Sequence, residues 1–240
     1  ANPVPMVIPI GAAETFDGII DLIKMKALYF DMKSLGKNVV EKDIPEDMLE
    51  KAQEYRQKMV ESAAEQDDAL MEKFFGGEEL TVDEIKKAIR KGCLARTITP
   101  AFCGSAFKDK GVQPLLDAVC DYLPSPIDTG AAVSADDPSQ KREPNDNEPF
   151  CGLAFKIMSD KAMGKITFVR VYSGTLKLGG ELLDSTINQE QRISRLFRMH
   201  ANKQEALEEA QAGDIVACVG LTQTRTGDTL CDPEHPITLE

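Results

Sequence analysis

The chain has 240 residues, of which 42% are hydrophobic, and its formal net charge is −12. This hydrophobic content supplies one large core or two modest ones and excludes a chain that is disordered throughout. No run of about 18 apolar residues could cross a membrane, and the N-terminus lacks the basic start and apolar core of a secretory signal, so we expect a soluble protein that is not exported.

The first part of the chain predicts a mixed α and β unit. Short apolar runs on either side of a Gly-Ala turn predict two strands, and residues 19–30 (IIDLIKMKALYF) predict a third. From Asp43 onward, apolar residues recur at helical spacing. This pattern predicts one long helix, or two helices with a break near residues 65–68, and it ends at Gly76 and Gly77.

Two further helices and a strand follow. Thr81 and Glu84 have the spacing of a capping box, which predicts a short helix. Residues 97–107 (TITPAFCGSAF) predict a buried strand and a tight turn, and Val112–Tyr122 predicts a helix. Together these form an α/β edge unit. The packed face of this last helix is predicted to contain Val112, Leu115, Leu116, Val119 and Leu123.

The small residues after that strand are a candidate nucleotide-base site. A backbone N–H can reach the exocyclic oxygen of a base only where no bulky side chain intervenes, and Ser105, Ala106 and Phe107 follow the strand directly. A purely structural turn would have the same sequence.

The charges are distributed unevenly. Residues 41–84 carry 15 acidic and five basic side chains, whereas residues 85–100 carry five basic side chains and none that is acidic. The acidic stripe, as we name it, is spaced to place four carboxylates on one helix face, where they are either solvated or available to a basic partner. Its members are Glu61, Glu65, Asp68 and Glu72.

The second half of the chain changes character. Residues 128–146 are rich in Pro, Ser, Asp and Asn and predict an interdomain linker. From residue 147 onward, short apolar or alternating runs are separated by Gly, Asp and Asn turns, which is typical of a small antiparallel barrel.

Several kinds of catalytic site are excluded within these 240 residues. The six cysteines include no C-x-x-C pair, and the two histidines lie far from any cluster of possible metal ligands. This favours cysteines that are reduced and mostly buried, as in a cytoplasmic protein. The sequence contains no G-x-x-x-x-G-K-[ST], no D-x-x-G and no N-K-x-D. The chain is therefore not a self-contained NTPase.

Five segments, in this order and spacing, resemble bacterial elongation factor G, the ribosomal translocase. They are GSAFKDKGVQPLLDAVCDYLPSP (104–126), RVYSGTL (170–176), RMHANK (198–203), AGDIVACVGL (212–221) and TGDTLCDP (226–233). The resemblance covers essentially the whole chain and implies an internal fragment. Its parts would be an α+β insert of the GTP-binding domain (1–93), the last strand and helix of that P-loop GTPase domain (94–127), the linker (128–146) and an antiparallel translation-factor β-barrel (147–240).

The resemblance also implies a function. The parent would use GTP and Mg²⁺ to drive translocation of tRNA and mRNA, whereas this fragment would bind neither cofactor and would be inactive. Gly104, Ser105, Ala106 and Phe107 would be the guanine-contacting turn, with the Ala106 N–H at the base oxygen. The acidic stripe would bind the ribosomal stalk protein, and the barrel would bind small-subunit ribosomal RNA in the cytoplasm, with no membrane or DNA partner. The basic side chains expected at that RNA are Arg170, Lys177, Arg192, Arg195 and Arg198.

Two other interpretations stay open. One is a fragment of a related translational GTPase, such as a ribosomal-protection protein or a release factor with the same barrel. The other is a free-standing acidic protein-interaction module. The resemblance implies that related translational GTPases usually lack or shorten the insert, which favours elongation factor G over such a relative. A base-binding turn argues against a free-standing interaction module.

Overall fold

The computed structural model describes residues 2–200 and 203–239, so the RMHANK segment includes two residues, 201 and 202, that lie outside the described part. The contacts divide the chain into unit 1, Ala1–Pro124, and unit 2, Ser125–Glu240. Within the described ranges, no helix is both long and apolar enough to cross a bilayer.

Unit 1 combines helices with two small sheets. Strands β2, β3, β4 and β5 form an antiparallel sheet in that order, and β1 pairs in parallel with β6. The elements are β1 Pro3–Pro5, β2 Val7–Ile10, β3 Gly18–Asp21, β4 Lys26–Phe30, β5 Val39–Lys42, α1 Glu46–Ala64, α2 Asp68–Phe75, α3 Val82–Leu94, β6 Thr99–Ala101 and α4 Val112–Tyr122.

The prediction of one strand over residues 19–30 was wrong, because this stretch is the hairpin of β3 and β4. The Asp21 carboxylate accepts hydrogen bonds from the N–H groups of Ile23 at 2.8 Å and Lys24 at 3.0 Å. Met25 has a φ of 53°, in the left-handed region. A local side-chain turn therefore overrides the apolar run.

The two-helix alternative is confirmed. Helix α1 ends at Ala64, and the Asp67 carboxylate starts α2 by accepting from the Ala69 N–H at 3.2 Å. The capping box is also confirmed, since the Glu84 N–H donates to Thr81 Oγ1 at 3.2 Å. Glu84 accepts from Lys73 Nζ at 2.6 Å as well, which joins α2 to α3. Lys73 first, and then Thr81, lower the pKa of Glu84 to about 2.

The core of unit 1 lies between these helices and β1 to β3. Met59 of α1 and Ile85 and Ile89 of α3 are fully buried in one cluster with Ile20 and Leu22. Burial of each such side chain contributes roughly 1.5–3 kcal/mol relative to exposure. The amphipathic pattern predicted from the sequence is thus satisfied on α1 and α3.

Helix α4 covers the predicted residues, but its predicted packed face is exposed. Leu115, Leu116 and Val119 are 49%, 59% and 45% exposed, while Ala118 and Tyr122 are buried. The physical reason is that β6 pairs only with β1 within the described ranges, so no larger sheet covers the leucines. Strand β6 itself, predicted to be buried, is likewise exposed at its first residue and half-buried at the others.

Unit 2 is almost entirely antiparallel sheet. Eight strands form one sheet in the order β13-β12-β18-β9-β10-β17-β14-β15, and the pairs β11–β16 and β7–β8 lie beside it. The strands are β7 Ala132–Val133, β8 Lys141–Arg142, β9 Cys151–Asp160, β10 Gly164–Ser173, β11 Leu176–Lys177, β12 Glu181–Asp184, β13 Gln189–Arg192, β14 Arg195–His200, β15 Lys203–Ala206, β16 Glu209–Ala210, β17 Ile215–Val219 and β18 Thr229–Cys231.

Alternation along the strands of unit 2 builds its core. In β10, Val169 and Val171 are fully buried while Arg170 between them is half-exposed, which is the period of two expected for a strand. The valines pack with Leu196 and Val216 in one cluster. The result is a mostly antiparallel, barrel-like domain.

The segment predicted to be a linker, 128–146, contains β7 and β8 and bonds to the last residues of unit 2. The Ala135 N–H donates to Thr238 O at 2.9 Å, and Arg142 donates to His235 O at 3.0 Å. The division between the two units falls at Pro124 and Ser125, a few residues before the start of this segment.

Candidate functional site

The candidate base-binding turn lies between β6 and α4 and is closed by its own backbone. The Ser105 N–H donates to Lys110 O at 2.8 Å, and the Lys110 N–H donates to Ser105 O at 3.0 Å. Ser105 Oγ accepts from the Lys108 N–H at 3.3 Å, where a short 3₁₀ turn begins, and Asp109 ends that turn with a φ of 50°. These bonds fix the shape of the turn.

Two glycines allow the arms of the turn to touch. A Cβ on Gly111 would lie 2.9 Å from Cys103 O and 3.0 Å from the Cα of Gly104, and the φ of Gly111 is +81°. Both the conformation and the close approach therefore require glycine at this position.

Ala106 and Phe107 present N–H groups without an internal acceptor. Neither N–H donates a hydrogen bond to another described residue. Ala106 is exposed and the Phe107 side chain is 98% exposed, so neither donor is shielded. The turn can therefore bind an acceptor such as a carbonyl oxygen.

Two lysines that the sequence reasoning missed attach the turn to the loop between β2 and β3. Lys108 Nζ donates to Ala13 O at 2.9 Å and Glu14 O at 3.1 Å. Lys110 Nζ donates to Phe16 O at 3.2 Å and pairs with the Asp17 carboxylate at 3.0 Å. The sequence signal was a K-x-K-G run after the turn, which does not by itself reveal partners more than 90 residues away.

The acidic stripe is exposed, as its spacing predicts, but the expectation of one helix face was wrong. Glu61 lies on α1 and Glu65 caps its C-terminus, whereas Asp68 and Glu72 lie on α2. The break at Asp67 separates the two pairs. Within the described part of the chain none of the four carboxylates forms an ion pair, while Asp67 pairs with Lys91 Nζ at 2.9 Å.

Three of the five basic residues expected at RNA contact other residues of unit 2. Arg198 pairs with Asp214 at 3.3 Å, the Arg170 guanidinium lies 4.8 Å from the centre of the Tyr172 ring, and Arg192 Nε donates to Gly179 O at 2.9 Å. The other two, Lys177 and Arg195, are exposed and have no ion pair with any described residue.

Strand geometry explains why neighbouring arginines diverge. Arg195 and Arg198 are three residues apart on β14, so their side chains point to opposite faces of the sheet. Sequence reasoning also missed a basic and aromatic contact on β9 and β10, where Lys156 Nζ lies 5.7 Å from the centre of the Phe168 ring.

A buried polar cluster in unit 2 was not predicted either. Gln191 Nε2 donates to Asp184 Oδ2 at 3.3 Å and to Thr224 Oγ1 at 2.7 Å. Asp184 is fully buried, and its Oδ1 has no hydrogen-bond partner in the described structure. Burial raises the pKa of Asp184 above its ordinary value, and the nearby Asp228 carboxylate raises it further.

Two comparisons with known proteins bear on these sites. Residues 164–231, all within unit 2, match the family described as Elongation factor Tu domain 2. The whole chain is similar to the crystal structure of ttk003000868 from Thermus thermophilus, with 26% sequence identity and a TM-score of 0.74. That similarity covers 98% of this chain and 32% of the other, so the chain spans about a third of that protein's length. Together the two findings show that this chain is similar to an elongation-factor domain over residues 164–231 and to part of a longer protein over nearly all of its length.

Proposed function

We propose that the chain is an internal part of elongation factor G, the GTPase that drives GTP-dependent translocation of tRNA and mRNA on the ribosome. The observation that carries this proposal is the turn Gly104–Phe107. Its two unpaired N–H donors occur in a strand–turn–helix segment that precedes, along the chain, the unit matching Elongation factor Tu domain 2. GTP hydrolysis is assigned to the longer protein and not to these residues.

The guanine base fits the donors that are present. Guanine has a carbonyl oxygen where adenine has an amino group, so paired N–H donors at Ala106 and Phe107 favour guanine and leave an adenine amino group without an acceptor. The sequence contains no phosphate-binding motif. The phosphates and Mg²⁺ would therefore be held by other residues of the longer protein.

The exposed apolar face of α4 supports the same proposal. A groove of about 240 Å³ is lined by Ile98, Leu115, Val119 and Leu123 beside the β1–β6 pair. Parallel sheets occur almost only where both faces are covered. We assign the groove to a further strand and helix of the same GTP-binding domain, supplied by residues upstream of Ala1 in the longer protein.

Unit 1 also favours elongation factor G over its relatives. The helices α1 to α3 pack in one core cluster and β2 to β5 form an antiparallel sheet, and we assign both to the insert. By the resemblance, ribosomal-protection proteins and release factors usually lack or shorten this insert. A free-standing acidic module would have no use for a turn with two unpaired donors.

Unit 2 is proposed to bind small-subunit ribosomal RNA in the cytoplasm. Lys177 and Arg195 are the side chains to test first, because they are exposed and form no ion pair with a described residue. Arg198 is paired with Asp214, so part of its charge is already neutralised.

Co-sedimentation with purified small ribosomal subunits at low salt tests this binding. We expect the chain to sediment with the subunits, and the double variant K177E/R195E to bind more weakly with a salt dependence reduced by about one unit of slope per lost phosphate contact. The control K141E/K161E changes the charge equally at two other exposed lysines of unit 2. Equal binding by both variants, or no sedimentation of the parent chain, would refute the RNA contact.

The acidic stripe is proposed to bind the ribosomal stalk protein. Its carboxylates are exposed and free of ion pairs within the described ranges, so they mainly accelerate association with a basic partner in a salt-sensitive way. E61K/E65K should slow stalk association, whereas D136K/E181K, with the same charge change in unit 2, should not. If the two variants associate at equal rates at low salt, the stripe is only a solvated surface.

A further inference from the structure

The position of the turn relative to the rest of unit 1 depends on the loop at residues 11–17, which we name the anchor loop. The hydrogen bonds between Ser105 and Lys110 fix the shape of the turn but not its direction. The side chains of Lys108 and Lys110 extend from the turn to the anchor loop and donate there to three carbonyl oxygens and one carboxylate.

Lys110 is the stronger of the two attachments. Its side chain is only 10% exposed, and burial of an ammonium group is unfavourable unless the group is paired and hydrogen-bonded. Phe16 O and the Asp17 carboxylate supply those bonds. Lys108 is more exposed, so water can replace its partners at less cost.

The anchor loop is itself rigidly joined to the antiparallel sheet. The Thr15 N–H and hydroxyl both donate to Ala12 O, at 2.9 and 2.8 Å, and the Asp17 N–H donates to Ile10 O at 2.9 Å. The Phe16 ring is buried in a cluster with residues of β2, β3 and β4. These contacts join the loop to the sheet.

The turn also touches Gly36, whose carbonyl oxygen accepts a hydrogen bond from Gln113 Nε2 of α4 at 2.7 Å. A Cβ on Gly36 would lie 2.0 Å from Asp109 O, so the backbones are in close contact there. This contact limits how far the turn can move in one direction. The Lys110 contacts differ from it in that they bond the turn itself to the anchor loop.

We propose that Lys110 is a positioning residue that holds the N–H groups of Ala106 and Phe107 in a fixed direction relative to the β2–β5 sheet, through its bonds to the anchor loop. A ligand held by those N–H groups is then coupled to the anchor loop, and displacement of the loop displaces the donors. That the ligand is a guanine base rests on the proposed function, whereas the positioning does not.

Amide NMR of the chain with and without K110M tests this proposal, with K161M as the control at an exposed turn of unit 2. In the parent chain and in K161M, order parameters of the Ala106 and Phe107 amides should be near 0.85, and their residual dipolar couplings should fit the same frame as β2 to β4. In K110M the order parameters of these two amides should fall to roughly 0.6, or their residual dipolar couplings should no longer fit the orientation of β2 to β4. The order parameters and couplings of β2 to β4 themselves should stay unchanged. A loss of stability alone would not move these two quantities.

K110M that folds with unchanged couplings and order parameters at the turn would overturn the proposal. If K110M does not fold, D17N is decisive, because it weakens one partner of Lys110 and leaves Phe16 O in place. D17N should change the turn in the same direction by a smaller amount, and no change would again overturn the proposal. Neither experiment uses nucleotide or ribosomes, so its failure is distinct from failure of the proposed function.

Discussion

Replacement of Asp184 by asparagine should stabilise unit 2. Asp184 lies at the end of β12, fully buried, with an Oδ1 that accepts no hydrogen bond from any described residue. Asparagine has the same shape and carries an N–H₂ group at one of the two oxygen positions. That group can donate to the nearby Asp228 carboxylate, while the remaining oxygen still accepts from Gln191 Nε2.

The magnitude follows from the unsatisfied acceptor. A buried polar atom without a hydrogen-bond partner reduces the free energy of unfolding by about 1–3 kcal/mol. In a domain of this size 1 kcal/mol corresponds to about 4 °C in Tm, so D184N should raise the Tm by roughly 4 °C or more.

The sign depends on pH. Because burial raises the pKa of Asp184 in the folded state, the folded protein holds this proton more tightly than the unfolded chain does. The stabilisation of the folded state by this bound proton is fully present below pH 3.8, the ordinary pKa of an aspartate. It is lost as the pH rises through the higher pKa that Asp184 has in the folded state.

Thermal and urea unfolding of the parent chain and D184N at pH 4 and pH 7 measure this effect. The stabilisation by D184N should be larger at pH 7, where the parent has lost the contribution of the proton. D136N, at an exposed aspartate of the same unit, is the matched control and should change the free energy of unfolding by less than about 0.5 kcal/mol at either pH. A D184N variant that is destabilised at pH 7, or equally stabilised at both pH values, would refute this reasoning.

Three further outcomes are expected. A maleimide should label the exposed Cys120 quickly and Cys151 and Cys218 only after unfolding, since burial raises the pKa of both buried thiols to about 12, and rapid labelling of all three would contradict the packing of unit 2. Residues 125–240 expressed alone should show one cooperative thermal transition, because their core clusters are internal to that range, and a broad non-cooperative melt would contradict this. Titration of the 240-residue chain with GDP or GTP should release no heat. One or two hydrogen bonds of about 0.5–1.5 kcal/mol each do not offset the free-energy cost of association. Binding with micromolar affinity would mean that the nucleotide site has been assigned to the wrong residues.

Local signals made much of the fold predictable. The capping box of α3, the break before α2 and the bounds of α4 depend on residues close together in sequence, and each was predicted correctly. The hairpin of β3 and β4 was missed because a single carboxylate, that of Asp21, turns the chain within an otherwise continuous apolar run.

Long-range partners were not predictable from the sequence. The apolar residues of α4 have the periodicity of a packed helix, but periodicity cannot show whether the covering sheet is present. Likewise, the pattern around Ser105 predicted a turn, but the partners of Lys110 are more than 90 residues away and depend on the fold of unit 1. The buried Asp184 carboxylate gave no signal, since an aspartate at a strand end usually faces water.

The coding sequence upstream of Ala1, read in the same frame, tests the central claim most directly. An internal part of a translational GTPase must be preceded by the groups that hold the phosphates, Mg²⁺ and the specific edge of the guanine base. Sequencing should find G-x-x-x-x-G-K-[ST], then D-x-x-G, then N-K-x-D, with the last motif shortly before the strand that starts at Pro3. An upstream reading frame without these motifs would contradict the account.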